Sequence, residues 1–180
     1  MEQGRRREML YTRRKDTMPP TATPLTGSRL TPQRLYGFLA TAEMFTWGLL
    51  LLGMALKYGN ISDKLVPVFG GIHGLTFISY CVVTCFVWVN QRWSFGRGLL
   101  GLASAFIPFC TVPFERSVKR AGLLDGGWRL GVGGDEPHGF IEIVQAWCLR
   151  HPLPAVILGI VFIAVVFTVL LMLGPPVPRG

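Results

Sequence analysis

Leu65 to Asn90 reads L-V-P-V-F-G-G-I-H-G-L-T-F-I-S-Y-C-V-V-T-C-F-V-W-V-N and contains no Asp, Glu, Lys or Arg. As a helix rising about 1.5 Å per residue, it is long enough to cross the ~30 Å hydrocarbon core of a bilayer. Within it lie a Gly70-Gly71-Ile72-His73-Gly74 cluster and then Tyr80, Cys81 and Cys85. This stretch decides the fold class, an all-α polytopic membrane helical bundle.

Toward the N-terminus, the preceding helix starts at Thr31-Pro32, where Thr suits the cap and Pro the first helical position. Tyr36 to Leu56 supplies a second spanning length with Glu43 as its only charge. The predicted helices run over about 34–57 and 66–90, joined by the polar loop K-Y-G-N-I-S-D-K (57–64). Asn60-Ile61-Ser62 fits a glycosylation sequon, a triplet common by chance. Toward the C-terminus, Trp88 and Trp93 bracket a second short loop like aromatics at a membrane interface. Gly98 to Phe114 is a third apolar run, interrupted by Pro108 and Pro113 and at the lower limit for spanning. A crossing helix over 97–114 is expected, with a re-entrant segment as the alternative. Residues 31–120 then form a three-helix membrane domain. A connection over 121–151 leads to a fourth transmembrane helix over 152–174, whose run Leu153 to Leu173 is uncharged. In the connection, a helix over about 138–149 gathers Phe140, Ile143, Val144, Trp147 and Cys148 on one face, suited to the membrane interface or to packing on the rest of the chain.

Only 16% of the 180 residues are charged, against roughly 25% in soluble domains. The net charge of +8 is concentrated at one end. Residues 1–34 hold Arg5, Arg6, Arg7, Arg13, Arg14, Lys15, Arg29 and Arg34 against Glu2, Glu8 and Asp16. Residues 1–30 read as a disordered basic arm. Beside a membrane helix such an arm is a topology signal that touches anionic lipid, and no nucleic-acid partner is expected. It places the N-terminus in the cytoplasm of a multi-pass plasma (inner) membrane protein. The expected partners are the lipid bilayer and either another membrane protein or further copies of the chain. A cleavable signal peptide is not expected, and the first helix serves as its own anchor. Four crossings leave Arg116, Lys119 and Arg120 outside, against the positive-inside tendency. A re-entrant third segment would return residues 115–151 to the cytoplasm and put the C-terminus outside.

Cys81, Cys85, Cys110 and Cys148 form no Cys-x-x-Cys pair, so small buried residues are the default, with no metal or cofactor expected. Glu43 is an ionisable group inside a spanning helix, and such groups face a partner or a cavity. Tyr36, Ala40, Trp47 and Met54 share its face. His73 shares its face with Gly70, Phe77, Tyr80 and Thr84. Each of the two can carry a proton or make a structural hydrogen bond, and the structural role is the simpler. Gly70, Gly71 and Gly74 permit close helix packing, across which His73 can donate. With helix midpoints level, Glu43 and His73 are offset by roughly 12 Å at ~1.5 Å per residue. Direct pairing then needs a tilt or register shift, and a chain through Tyr80 or water is the expected link. Arg34, Lys57, Glu115 and Arg116 mark membrane ends. Asp135, Glu136 and His138 lack the spacing of a cation loop and read as a solvated turn. No phosphate-cradling Gly loop and no nucleophile with its base is present, so an enzyme is not expected.

The runs L-K-Y-G (56–59), G-G-I-H-G-L-T-F-I-S-Y (70–80) and A-F-I-P-F-C-T-V-P-F-E-R (105–116) follow a helix carrying A-E-M (42–44). Together they resemble an uncharacterised family of small bacterial integral membrane proteins, a domain of unknown function frequent in actinobacteria. The resemblance covers about residues 34–120. It implies a three-helix unit with a Glu in the first helix (Glu43) and a Gly-x-x-His-Gly element opening the second (Gly70 to Gly74). The third would end in Pro-Phe-Gly-Thr and Phe-Glu-Arg (Pro108 to Arg116), with Cys110 standing where the family tends to have Gly. It implies fold and location, not activity. The expected role is a non-enzymatic accessory or assembly subunit of a larger membrane complex. The alternative is a small proton-coupled carrier using Glu43, His73 and Tyr80.

Overall fold

A computed structural model describes residues 31–173; the expected basic arm lies outside them. The described residues form six helices and no strand: α1 (Pro32–Tyr58), α2 (Leu65–Asn90), α3 (Phe95–Phe106), α4 (Thr111–Arg120), α5 (Gly139–Arg150) and α6 (Pro152–Leu173). Three of these helices, α1, α2 and α6, are long and apolar enough to cross a membrane.

Thr31 caps α1, its hydroxyl accepting the Arg34 N–H at 3.2 Å, and Pro32 occupies the first helical position. Past Tyr58 the chain turns at Asn60, which takes a left-handed φ of 56°, a conformation Asn tolerates better than most residues. α2 then runs back against α1. Gly53 lies under the Phe69 ring and Gly70 faces Leu50. At the other end the Tyr36 and Tyr80 rings stack with centroids 5.5 Å apart.

The expected single helix over 97–114 is two helices. Ile107 precedes Pro108 and is extended, at φ −105° and ψ 119°, because the proline ring crowds an α-conformation in the residue before it. Phe109 then takes a left-handed φ of 66°. Pro113 breaks nothing, because it falls in the first turn of α4, where no amide donor is required. The 12 and 10 residues of α3 and α4 reach about 18 and 15 Å, roughly half a bilayer core each.

Their contacts set the direction. α3 begins beside Trp88, which covers Gly98, and ends where Phe106 meets Phe77 edge-on. α4 then doubles back. Phe114 lies against Gly101 and edge-on to Trp93, and the carbonyl of Leu123, just past α4, accepts the Trp93 indole N–H at 2.9 Å. The segment therefore leaves from and returns to the Asn90 end of α2 as a helical hairpin, two helices in place of the single one expected over 97–114.

The connection after the hairpin is tied to the end of α2 by Arg129. Its guanidinium donates to the carbonyls of Asn90 and Val89 at 3.1 and 3.3 Å and to Glu142 at 2.6 Å, satisfying carbonyls that a helix terminus leaves free. α5 turns Gln145 and Ala146 inward, with Gln145 donating to the Phe86 carbonyl at 2.6 Å. Its expected apolar face points outward, Phe140 being 80% exposed. α6 runs antiparallel to α2 and touches it where Phe167 meets Gly71 and Gly74. The described residues thus form three long helices and one hairpin, with residues 31 and 173 at opposite ends of the bundle.

Candidate functional site

Glu43 is fully buried and His73 is 8% exposed. Thr46, one turn on from Glu43, joins them. Its hydroxyl oxygen lies 3.1 Å from the Glu43 carbonyl, to which it donates, 3.5 Å from Glu43 Oε2 and 3.2 Å from His73 Nδ1. Glu43 Oε1 lies 3.7 Å from the same Nδ1 and has no hydrogen bond. The Trp47 ring packs on His73 with centroids 4.4 Å apart.

The pair is neutral overall in two arrangements: carboxylate beside imidazolium, or carboxylic acid beside imidazole. A charge in this setting is costly unless its counter-charge is adjacent. A hydroxyl both donates and accepts, so Thr46 serves either arrangement. It accepts from a protonated Nδ1 and donates to an unprotonated one. Both arrangements hold the same proton, and rotation of one hydroxyl accommodates its shift between the carboxylate and the imidazole.

The expected 12 Å offset is not what occurs. The pairings of Gly53 with Phe69, Leu50 with Gly70 and Tyr36 with Tyr80 set a register that brings His73 to Thr46 directly. Tyr80 does not link the two. It belongs to a second polar layer, its hydroxyl 2.7 Å from that of Tyr36 and 3.0 Å from that of Ser104, which in turn donates to the Gly101 carbonyl at 2.7 Å. That layer ties α1, α2 and α3 together. The hairpin apex is anchored to α1 by two further bonds. Trp47 donates to the Ala105 carbonyl at 3.1 Å, and Thr111 to the Ala40 carbonyl at 2.8 Å. Backbone broken at membrane depth needs such partners because lipid offers none.

Of the other expected residues, Gly71 and Gly74 face α6 whereas Gly70 faces α1. Arg34 and Lys57 are exposed near opposite ends of α1, and Arg116 is exposed on α4. Glu115 instead turns inward, its Oε1 beside Gly37. Asp135 lies 3.5 Å from Arg129 and 3.8 Å from Arg92. Glu142 is held below the usual carboxylate range, first by the Arg129 hydrogen bond and then by the His138 amide. Among the described residues no three His, Cys, Asp or Glu side chains gather to hold a metal ion. Sequence reasoning missed Thr46, Ser104, Thr111, Arg129 and Gln145. Thr46 was within reach, standing three residues from Glu43; Arg129 and Gln145 carry no periodic signal.

Residues 33–120 match the family model described as Domain of unknown function (DUF3817). The chain is 39% identical over 93 residues to a candidate membrane protein of Streptomyces coelicolor, SCO5905, a match covering 51% of this chain and 11% of that protein. It is 28% identical over 86 residues to the uncharacterised membrane protein YdzA of Bacillus subtilis, covering 48% of this chain and 88% of that one. The chain thus spans a small part of the Streptomyces relative and most of the Bacillus one. No solved structure matches. The match begins with α1 and stops with α4, leaving α5 and α6 outside it. The unit formed by α1, α2 and the hairpin is thus the part of the chain similar to the DUF3817 family, a domain of unknown function, and the matched relatives bear the names of membrane proteins.

Proposed function

We propose that this integral membrane protein is a small proton-coupled carrier rather than an enzyme, with Glu43, Thr46 and His73 as its proton-binding centre. One observation carries the reading: Glu43 Oε1, buried and without a hydrogen bond, lies 3.7 Å from His73 Nδ1 within two spanning helices. An acidic group at a helix centre costs about 2.5–3.5 kcal/mol even on insertion scales, and two adjacent ionisable groups suit a site that exchanges a proton. The neighbouring hairpin supports the reading, since broken helices at membrane depth are tolerated where they are buried in protein or line a pathway. The juxtaposition favours the reading that came second from the sequence, where an accessory or assembly subunit came first. The plasma membrane is the proposed location, with the Thr31 end of α1 cytoplasmic. Arg34, Arg92, Arg97, Arg116, Lys119, Arg120, Arg129 and Arg150 gather at that end, with Lys57 and Lys64 at the other.

The test uses the full chain in vesicles with a trapped pH indicator, with and without a small-molecule cell extract outside. Proton movement above empty vesicles is expected, falling about tenfold or more, ~1.4 kcal/mol or beyond, in Glu43→Gln and His73→Gln with unfolding temperatures preserved. Movement equal to empty vesicles, or unaffected by Glu43→Gln, overturns the proposal. The accessory-subunit reading then takes its place, favoured by α6, an apolar helix with little contact inside the chain. In that case gentle extraction should yield a stable particle with larger proteins.

A further inference from the structure

We propose that a groove between the first turns of α1 and the C-terminal half of α4 binds the headgroup of an aminophospholipid, its phosphate against Arg34 and Lys119 and its ammonium against Glu115. The cavity holds about 640 Å³ and is lined by Thr31, Arg34, Phe38, Glu115 and Lys119 among others. It opens at the basic end of the bundle, where the hairpin enters and leaves and where lipid headgroups lie. Its charges are unspent. Glu115 is only 9% exposed, yet among the described residues it has neither hydrogen bond nor ion pair. Arg34 and Lys119 are exposed and likewise in no ion pair among those residues.

Glu115 Oε1 comes within 3.4 Å of where a Cβ on Gly37 would stand, so the bare glycine leaves the carboxylate room at the cavity wall. The Glu115 carboxylate faces the cavity, and two cations one turn nearer the membrane surface do not neutralise it by contact. A ligand carrying both an anion and a primary ammonium satisfies all three groups. A phosphatidylglycerol headgroup offers Glu115 only hydroxyl donors and no counter-charge. A choline headgroup offers no N–H to donate. Phe38, one turn deeper than Arg34 and 70% exposed, lies where the glycerol and acyl chains of a seated lipid would pass. This assignment does not depend on the proton-binding centre.

Full-length protein, purified and delipidated in detergent, is titrated with phosphatidylethanolamine, phosphatidylglycerol and phosphatidylcholine, and bound lipid is counted by native mass spectrometry. Phosphatidylethanolamine should bind most tightly, and its affinity should fall about fivefold for each of Arg34→Gln and Lys119→Gln. Glu115→Gln, with circular dichroism unchanged, should erase the preference for phosphatidylethanolamine over phosphatidylglycerol. Equal retention of all three lipids, or retention indifferent to the Arg34→Gln/Lys119→Gln pair, overturns the proposal. Displacement by free phosphoethanolamine at concentrations comparable to the lipid overturns the lipid assignment in favour of a soluble phospho-amine.

Discussion

Thr46 decides whether Glu43 and His73 behave as one group or two, because its hydroxyl lies within 3.5 Å of both side chains. Residues sharing one hydrogen-bonded network couple by about 0.5–3 kcal/mol, whereas distant ones add. The cycle of Glu43→Gln, His73→Gln and the double variant, measured by unfolding in detergent, should show coupling in that range, and Thr46→Val should reduce it. Strictly additive losses would mean that the two groups are independent. Glu43 and His73 were visible in the sequence because ionisable residues stand out in apolar runs. Thr46, three residues from Glu43 and so within reach, was passed over because a Thr in a membrane helix usually bonds back to its own backbone, as Thr76 does to Ile72 at 2.9 Å.

The hairpin rests on one close approach. A Cβ at Gly98 would collide with the Trp88 indole, whereas one at Gly96, in the same helix, meets nothing within 4 Å. Gly98→Ala should therefore cost about 1–3 kcal/mol through overpacking. Gly96→Ala should be neutral or slightly stabilising, by at most about 1 kcal/mol from helix propensity. Thermal unfolding of the two variants side by side checks this, and equal midpoints would contradict the packing of α3 on α2. Both prolines were legible as interruptions. Which of them breaks the helix was not, since Pro108 falls after a formed helix and Pro113 inside the first turn of the next.

The path of the whole chain separates the two topologies. With a re-entrant hairpin, residue 136 lies on the side of Arg34, and residue 62 on the opposite side. With a crossing third helix, residues 62 and 136 would share a side. Single cysteines at Ser62→Cys and Glu136→Cys, in a chain whose four native cysteines are replaced, should react with an impermeant thiol reagent from opposite faces of the membrane. Labelling of both from one face would restore the crossing helix. The basic residues of α4 and of the connection then sit with Arg34 on one side, which removes the conflict with the positive-inside tendency that four crossings create.

Class, spanning segments and the two intramembrane ionisable residues follow from the sequence, because a bilayer reduces them to length, apolarity and the cost of a charge. Leu65 to Asn90 answers all three in a single stretch. The path of the third segment, the meeting of Glu43 with His73 and the inward turn of Glu115 arise only in the folded chain. Each depends on register and backbone direction: the pairing of α1 with α2, and a left-handed Phe109 that sends α4 back. Periodicity tells which face a side chain occupies, but the height at which two helices meet is set by contacts between residues far apart in sequence.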